Sequence, residues 1–429
     1  MEKFLVERSL NLTGRVRTSG AKNASLPILA AALLGTEDII LEDVPRLRDV
    51  TVMCEVLKAL GAKVRTYEDG TILINSSGLN NYETKSELMN KMRASFLVMG
   101  PLLGRLGKSK NSLPGGCKIG PRPIDLHLKG FKALGARIEE HKSYDAEQNE
   151  SYVMASADEL IGDRIYLDFP SVGATENIMM AAVLAKGETV IENAAKEPEI
   201  VDLSNFLRKL GGNIKGAGTS RITINGVERL KGAKHQIIPD RIEAGTYMVA
   251  AAISGGDLVV ENVIPNHLSP VIAKLEETGC ELTINDEEIR VKSNKDLKAI
   301  DIKTLPYPGF PTDMQAQFMA LTTALKGQSV VIETVFENRF MHVNEFRKMG
   351  ADIKIDGRSA IINGNVPLIG TKVNATDLRS GAALILAGFS AEGKTEIGNI
   401  YHIERGYEDV EEKFRSIGGN IKRIEVDED

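Results

Sequence analysis

The stretch LPGGCKIGPRPID, residues 113–125, sets one cysteine, Cys117, among glycines and beside cations. Pro114, Gly115, Gly116 and Gly120 make this segment tightly turned or mobile, the character of a lid over a site. Lys118 follows Cys117 directly and Arg122 lies five residues on. Positive charge nearby lowers a thiol pKa, and exposure makes the thiolate reactive. The alternative is a cysteine that has no function beyond its place in a loop. Cys54 and Cys280 fall on or at the ends of amphipathic helical patterns and read as packing residues. The three cysteines are far apart and form no CxxC pair, which argues against a disulfide framework or a zinc site. Six scattered histidines without an HExxH spacing argue against any bound metal.

A net charge of -6 supplies no global field for nucleic acid, so an anionic ligand needs a local basic cluster. Polar residues gather where a series of apolar helical patterns begins: Lys22 and Asn23, Arg93, Ser171 with Gly173 and Thr175, Arg241 with Glu243, Thr312 with Asp313, and Asp377 with Arg379. Helix N-termini carry free N–H groups and favour anions. A cation there opposes the helix dipole, so Lys22, Arg93 and Arg379 call for an anion. Thr175 and Glu243 read as simple helix caps.

The elements that must position these residues repeat. LGAKV, LGARI, LGGNI, TGCEL, MGADI and IGGNI recur at intervals of about 70 residues, with glycines at 61, 135, 211, 279, 350 and 418. Each glycine stops an amphipathic helix, predicted over 49–60, 125–134, 200–210, 268–278, 342–349 and 407–417. Upstream helices over 24–34, 176–185, 244–253 and 314–325 are apolar nearly all round and must be enclosed. Each unit thus reads as helix, strand, helix, strand, strand.

After Gly418 the last unit stops short of its final strand, and FLVERSLNLTG at the N-terminus resembles the missing piece. The expected architecture is α/β, with six units in two pseudo-symmetric domains of three. One domain is expected over 22–234, the other over 1–21 plus 235–429, with the site in the cleft between them. A solenoid is the alternative, but its repeats rarely enclose a helix on every side. The segment MEKFLVERSL has no apolar h-region and no apolar run reaches ~18 residues, so a cytoplasmic protein without membrane insertion is expected. Nothing points to an obligate protein partner.

GAKNASLPILAAALL, LPGGCKIGPRPIDLH, FENRFMHV and ATDLRSGAALILAG together resemble the UDP-N-acetylglucosamine enolpyruvyl transferases, along essentially the whole chain. The resemblance implies an inside-out α/β barrel. It also implies transfer of the enolpyruvyl group of phosphoenolpyruvate to the sugar 3-hydroxyl, the first committed step of peptidoglycan precursor synthesis, without metal or organic cofactor. By position, Lys22 and Asn23 resemble the pair that meets both substrates. Arg93 is similar to a sugar-nucleotide contact, as are Ser171, Gly173 and Val335, and Arg122, Pro123, Ile124, Asp125 and Leu126 resemble the segment around the uridine. Cys117 corresponds to the proton donor, which can also form a thioether adduct. Asp313 corresponds to the carboxylate beside the 3-hydroxyl, and Asp377 to the acid near the reacting carbon. Arg379 and Arg405, with Arg122, resemble the arginines that grip the phosphoenolpyruvate carboxylate and phosphate, a task suited to bidentate guanidinium. Phe169 and Pro170 stand where many members carry a lysine two residues before the Ser171 segment, so one sugar-nucleotide contact is expected to be absent or made differently.

A shikimate-pathway enolpyruvyl transferase and an inactive sugar-nucleotide sensor are the competing readings. The cysteine loop and the RPIDL segment distinguish the first, and the full set of candidate residues the second. One equivalent of the epoxide fosfomycin is expected to label Cys117 alone and abolish activity, faster with the sugar nucleotide bound. Cys117→Ser is expected to be nearly inactive, and Cys117→Asp partly active and epoxide-resistant. Peptide mapping that placed the label on Cys54 or Cys280 would remove Cys117 from the chemistry.

Overall fold

The structure, a computed structural model, describes residues 2–84, 87, 93–112, 124–141, 151–293 and 296–426. They fall into two compact units, one of residues 20–238 and one of residues 2–19 with 239–426. Each unit has its own continuous apolar core.

The physical root of both cores is a set of helices with no polar face. In the 20–238 unit these are α1 (Lys22–Ala31), α3 (Met99–Leu106) and α5 (Val172–Ala182). In the other unit they are α7 (Arg241–Ser254), α9 (Gln315–Ala324) and α11 (Leu378–Ser390). Every residue of α7 after Arg241 is buried, and all of α9 except Ala324. Such helices must be surrounded by other elements, and α7, α9 and α11 pack on one another. The amphipathic set lies around them: α2 (Arg48–Ala59), α4 (Asp125–Ala133), α6 (Pro198–Lys209), α8 (Ser269–Thr278), α10 (Val343–Lys348) and α12 (Val410–Ser416).

All six repeat glycines follow these amphipathic helices at positive φ, from 91° at Gly135 to 108° at Gly211. Only glycine takes that conformation without steric cost, so it ends the helix and turns the chain into a strand. The boundary of α12 differs from the reading of a helix over 407–417. Tyr407 is buried, Asp409 sits at φ 47°, and the helix begins only at Val410.

Among the described residues, six four-stranded sheets complete the units, three in each. In each sheet one short outer strand runs parallel to its neighbour and the other pairings are antiparallel. Two sheets recruit the N-terminal segment. Glu2–Glu7 lies between Lys394–Gly398 and Asn420–Glu425, antiparallel to both. Thr13–Arg17 is the parallel edge strand beside Asp257–Glu261. Conversely, Lys234–Gln236 completes the sheet of Asp38–Glu42 in the 20–238 unit.

The chain passes between units after Ser19 and after Ile238. Gly20 is required at the first passage, because a Cβ there would lie 1.8 Å from the Asp43 carbonyl oxygen. Just before it, the Ser19 N–H donates to the Glu243 carboxylate at 2.8 Å, and Lys413 Nζ donates to the same carboxylate at 2.6 Å. Burial pushes the Glu243 pKa up against the pull of Lys413. The reading of Glu243 as a helix cap is therefore corrected: Asp240 caps α7, its carboxylate accepting from the N–H groups of Ile242 and Glu243. Thr175 is likewise not the cap of α5. Ser171 is, while Thr175 Oγ1 donates to the Ser171 carbonyl and accepts from the Ala195 N–H.

Phe4 is fully buried at the centre of the Glu2–Glu7 strand, opposite Ile397 and Arg423. Phe4→Ala is expected to lower unfolding free energy by ~3–5 kcal/mol in a denaturant titration. A loss within the ~0.5 kcal/mol typical of surface changes would show that this strand contributes little to its unit.

Candidate functional site

In the unit formed by residues 2–19 and 239–426, the starts of α9 and α11 bring charge together. Asp313 lies in the 3-10 turn Thr312–Met314 that leads into α9. Its carboxylate accepts from Arg339 Nη2 at 2.8 Å and from Arg379 Nη2 at 3.1 Å. Arg379, the second residue of α11, is only 2% exposed, and its Nε and Nη1 have no hydrogen-bond partner among the described residues. Burial alone would lower its pKa, but Asp313, Tyr407 and Asp240 outweigh that and hold it above the ordinary value.

Arg339 is the residue that sequence reasoning missed, although it lies within FENRFMHV. It also donates to Thr312 Oγ1 at 3.0 Å. Thr312 in turn donates to Glu333. The other Glu333 oxygen accepts from the N–H groups of Val335 and Phe336, which fixes the turn carrying Val335.

Asp377 caps α11 through a capping box with Ser380, accepting from the N–H groups of Arg379 and Ser380. The cap anchors the very residue whose guanidinium reaches Asp313. His342, behind this corner, is pushed down to about 4 by burial, partly offset by Asp377, so it is neutral at pH 7. Arg405 ends the 3-10 turn Ile400–Arg405 and is half-buried.

In the 20–238 unit, Lys22 opens α1 and is buried, with Nζ 2.9 Å from Asp49 Oδ2. Asp49 sits in the first turn of α2, where an anion is favoured by the helix dipole. The anions that face Lys22 and Arg379 are therefore carboxylates of the chain itself, Asp49 and Asp313. Asn23 follows Lys22, half-buried.

Packing of α4 on α5 brings two candidate segments together. Ile124 precedes α4, Asp125 begins it exposed, and Leu126 is half-buried. Ser171 caps α5, and a Cβ on Gly173 would lie 3.3 Å from His127 Cε1, so the glycine permits this approach. Burial pushes His127 down to about 4, and its Nδ1 meets Asn177 Nδ2 at 3.1 Å, a neutral imidazole within the wall. Phe169 is exposed on the approach to Ser171. Cys117, Arg122 and Pro123 lie outside the described residues, as does the Arg93 side chain. Cys54 and Cys280 are buried, and burial pushes the Cys54 thiol up to about 11, which leaves it protonated at neutral pH.

Comparison with known proteins defines the class. The family described as EPSP synthase (3-phosphoshikimate 1-carboxyvinyltransferase) matches residues 6–414. Among solved structures, the enolpyruvyl transferase NikO from Streptomyces tendae shares the fold at TM-score 0.87 and 24% identity, covering 98% of both chains. EPSP synthase from Acinetobacter baumannii does so at TM-score 0.77 and 21% identity, over 99% of this chain and 100% of that one. A UDP-N-acetylglucosamine 1-carboxyvinyltransferase of Finegoldia magna is 61% identical over the full length of both proteins. One from Caldanaerobacter subterraneus subsp. tengcongensis is 61% identical over 98% of this chain and 99% of its own. The chain belongs to the EPSP synthase family of enolpyruvyl transferases, and within it to the group formed by the UDP-N-acetylglucosamine 1-carboxyvinyltransferases.

Removing Arg339 leaves Asp313 with one guanidinium and Thr312 Oγ1 without its donor. Arg339→Met is expected to lower the melting temperature by several degrees, as loss of a buried charge partner does. It is also expected to reduce kcat at least tenfold, on the order of a positioning group's contribution. Calorimetry and steady-state kinetics check both, and wild-type values would show that Asp313 does not depend on Arg339.

Proposed function

We propose that this chain is the enzyme that moves the enolpyruvyl group of phosphoenolpyruvate onto the 3-hydroxyl of UDP-N-acetylglucosamine and releases phosphate. The observation that carries the reading is the Asp313 corner: a carboxylate between two buried guanidinium groups, one of them, Arg379, with Nε and Nη1 unpartnered among the described residues. An anionic substrate and a hydroxyl that must lose a proton require that pairing of cation and base. Full-length identity of 61% to a protein named for this reaction supports it.

In this reading Cys117 protonates the phosphoenolpyruvate methylene while Asp313 takes the proton of the attacking 3-hydroxyl. The oxygen bonds to the carbon that bears phosphate, giving a tetrahedral adduct. Loss of phosphate and of one methyl proton restores the double bond as an enol ether. Lys22, Arg122, Arg379 and Arg405 neutralise the carboxylate and phosphate, with Asn23 beside them and Asp377 near the reacting carbon. The sugar nucleotide is held by Asn23, Arg93, the 122–126 segment, Ser171, Gly173 and Val335. Among the described residues no helix is long and apolar enough to cross a membrane. We place the enzyme in the cytoplasm, where phosphoenolpyruvate and the sugar nucleotide are made, at the committed step of the peptidoglycan precursor route.

Phosphate release with both substrates is the direct test. Asp313→Ala is expected to lower kcat by ~10²–10⁴-fold, the range of positioned proton transfer, with much less effect on sugar-nucleotide affinity. Phosphate release with shikimate 3-phosphate as acceptor, and none with the sugar nucleotide, would replace this reading by the other enolpyruvyl transfer.

A further inference from the structure

Each of the three core helices of the 2–19 and 239–426 unit sends a buried polar side chain to Tyr407. Thr246 on α7 and Gln317 on α9 are both completely buried. Thr246 Oγ1 is 3.0 Å from the Tyr407 hydroxyl, and Gln317 Nε2 is 3.1 Å from the same oxygen. The third is Arg379 on α11, whose guanidinium carbon lies 5.5 Å from the Tyr407 ring centroid.

The proton order in this group follows from its geometry. Thr246 commits its own hydroxyl proton to the Ile242 carbonyl at 2.8 Å. The short contact between the two hydroxyls therefore has Tyr407 as donor and Thr246 as acceptor. Gln317 Nε2 donates to the Tyr407 oxygen and, at 3.3 Å, to Thr246 as well. Tyr407 is thereby fixed in rotation, with one oxygen lone pair left over. Burial raises its pKa, while Arg379 and Thr246 pull it down. The phenol is neutral and turns its electron-rich face and oxygen toward a buried cation.

Arg379 has its own peculiarity. It is almost wholly buried, yet of its guanidinium nitrogens Nη2 donates to Asp313 while Nε and Nη1 have no hydrogen-bond partner among the described residues. A flexible guanidinium in such a place would rotate to satisfy its donors elsewhere, since an unmade buried hydrogen bond is costly. Something must hold it in plane.

We propose that Tyr407 is a positioning residue for Arg379: clamped by Thr246 and Gln317, it sets the guanidinium so that Nη2 meets Asp313 while Nε and Nη1 are kept for the oxygens of the anionic substrate. The proposal rests on the reading of Arg379 as a ligand of the phosphoenolpyruvate anion. Tyr407 itself touches no reacting atom. It acts through the arginine, and it joins the substrate-binding corner to the packing of all three core helices.

The test is Tyr407→Phe, which keeps the ring and removes the hydroxyl, measured beside Arg379→Gln and the double variant. Tyr407→Phe is expected to raise the KM for phosphoenolpyruvate about tenfold, on the scale of the hydrogen bonds to Thr246 and Gln317 that it loses, and to leave the KM for the sugar nucleotide within about twofold. Gln317→Met, which frees the tyrosine hydroxyl, is expected to move the same constant in the same direction. The double variant should bind phosphoenolpyruvate no more weakly than Arg379→Gln alone, because the tyrosine acts only through the arginine. Equilibrium binding replaces KM where a variant does not turn over. A lower melting temperature with an unchanged KM for phosphoenolpyruvate would reduce Tyr407 to a packing residue. Fully additive losses in the double variant would overturn the linkage. Should Arg379→Gln itself leave phosphoenolpyruvate binding intact, the role of the arginine fails first, and the proposal with it. If only Tyr407→Phe is silent, the proposal fails alone.

Discussion

A helix without a polar side can exist in water only if something covers it all round, and the described residues of this protein form six. That requirement organises each unit. The amphipathic helices and the sheets take up the outer positions, because they have one face to give to the interior and one to solvent. A buried helix carries unpartnered polar groups at its first turn, where its backbone is itself unsatisfied; farther along, as at Thr246 and Asn177, a polar side chain has a partner inside the core. Lys22, Ser171, Asp313, Asp377 and Arg379 all sit within or just before such turns. Their position is thus a product of how the core is enclosed.

Charge follows the same logic. The chain is net negative, so the field that draws a doubly anionic substrate has to be local. Cations buried near helix starts supply it, and each faces a carboxylate of the chain. Arg379 is held by Asp313, and Lys22 by Asp49. Such pairs add little net stability because both charges are desolvated. What they provide is a cation in a fixed place, with its cost already met inside the fold.

Much of this was legible in the residues. The six glycines revealed the repeat because each needs positive φ, a backbone demand that leaves a direct mark on residue choice. The apolar helices were legible for the same reason, since enclosure keeps polar residues along them few, and those at Thr246 and Gln317 have partners inside. What was hidden depends on pairing across the sequence. Arg339 reaches Asp313 over 26 residues, and Asp49 reaches Lys22 from another helix, with no local pattern to announce either. The caps were misassigned at Thr175 and Glu243 because several polar residues crowd each helix start, and only backbone geometry tells the capping one from its neighbours. The α12 boundary was misjudged because Tyr407 fits a helical apolar period while its side chain serves the interior elsewhere. The cysteine loop carries its message in composition alone.

The strand Glu2–Glu7 has a temporal consequence. Both of its neighbours are synthesised far later than the strand itself, and Val6 is paired with Ile421. At ~5–20 residues per second, the strand waits about 20–80 s for its place in a sheet. Meanwhile the 20–238 unit is one unbroken stretch and can fold as soon as it has emerged. From then until the partner strands emerge, the nascent protein is one finished unit preceded by an alternating, β-prone ribbon with both edges open. The charges at Glu2, Lys3, Glu7 and Arg8 stand on and beside that ribbon, where they discourage pairing with a neighbouring chain until the true partner is made.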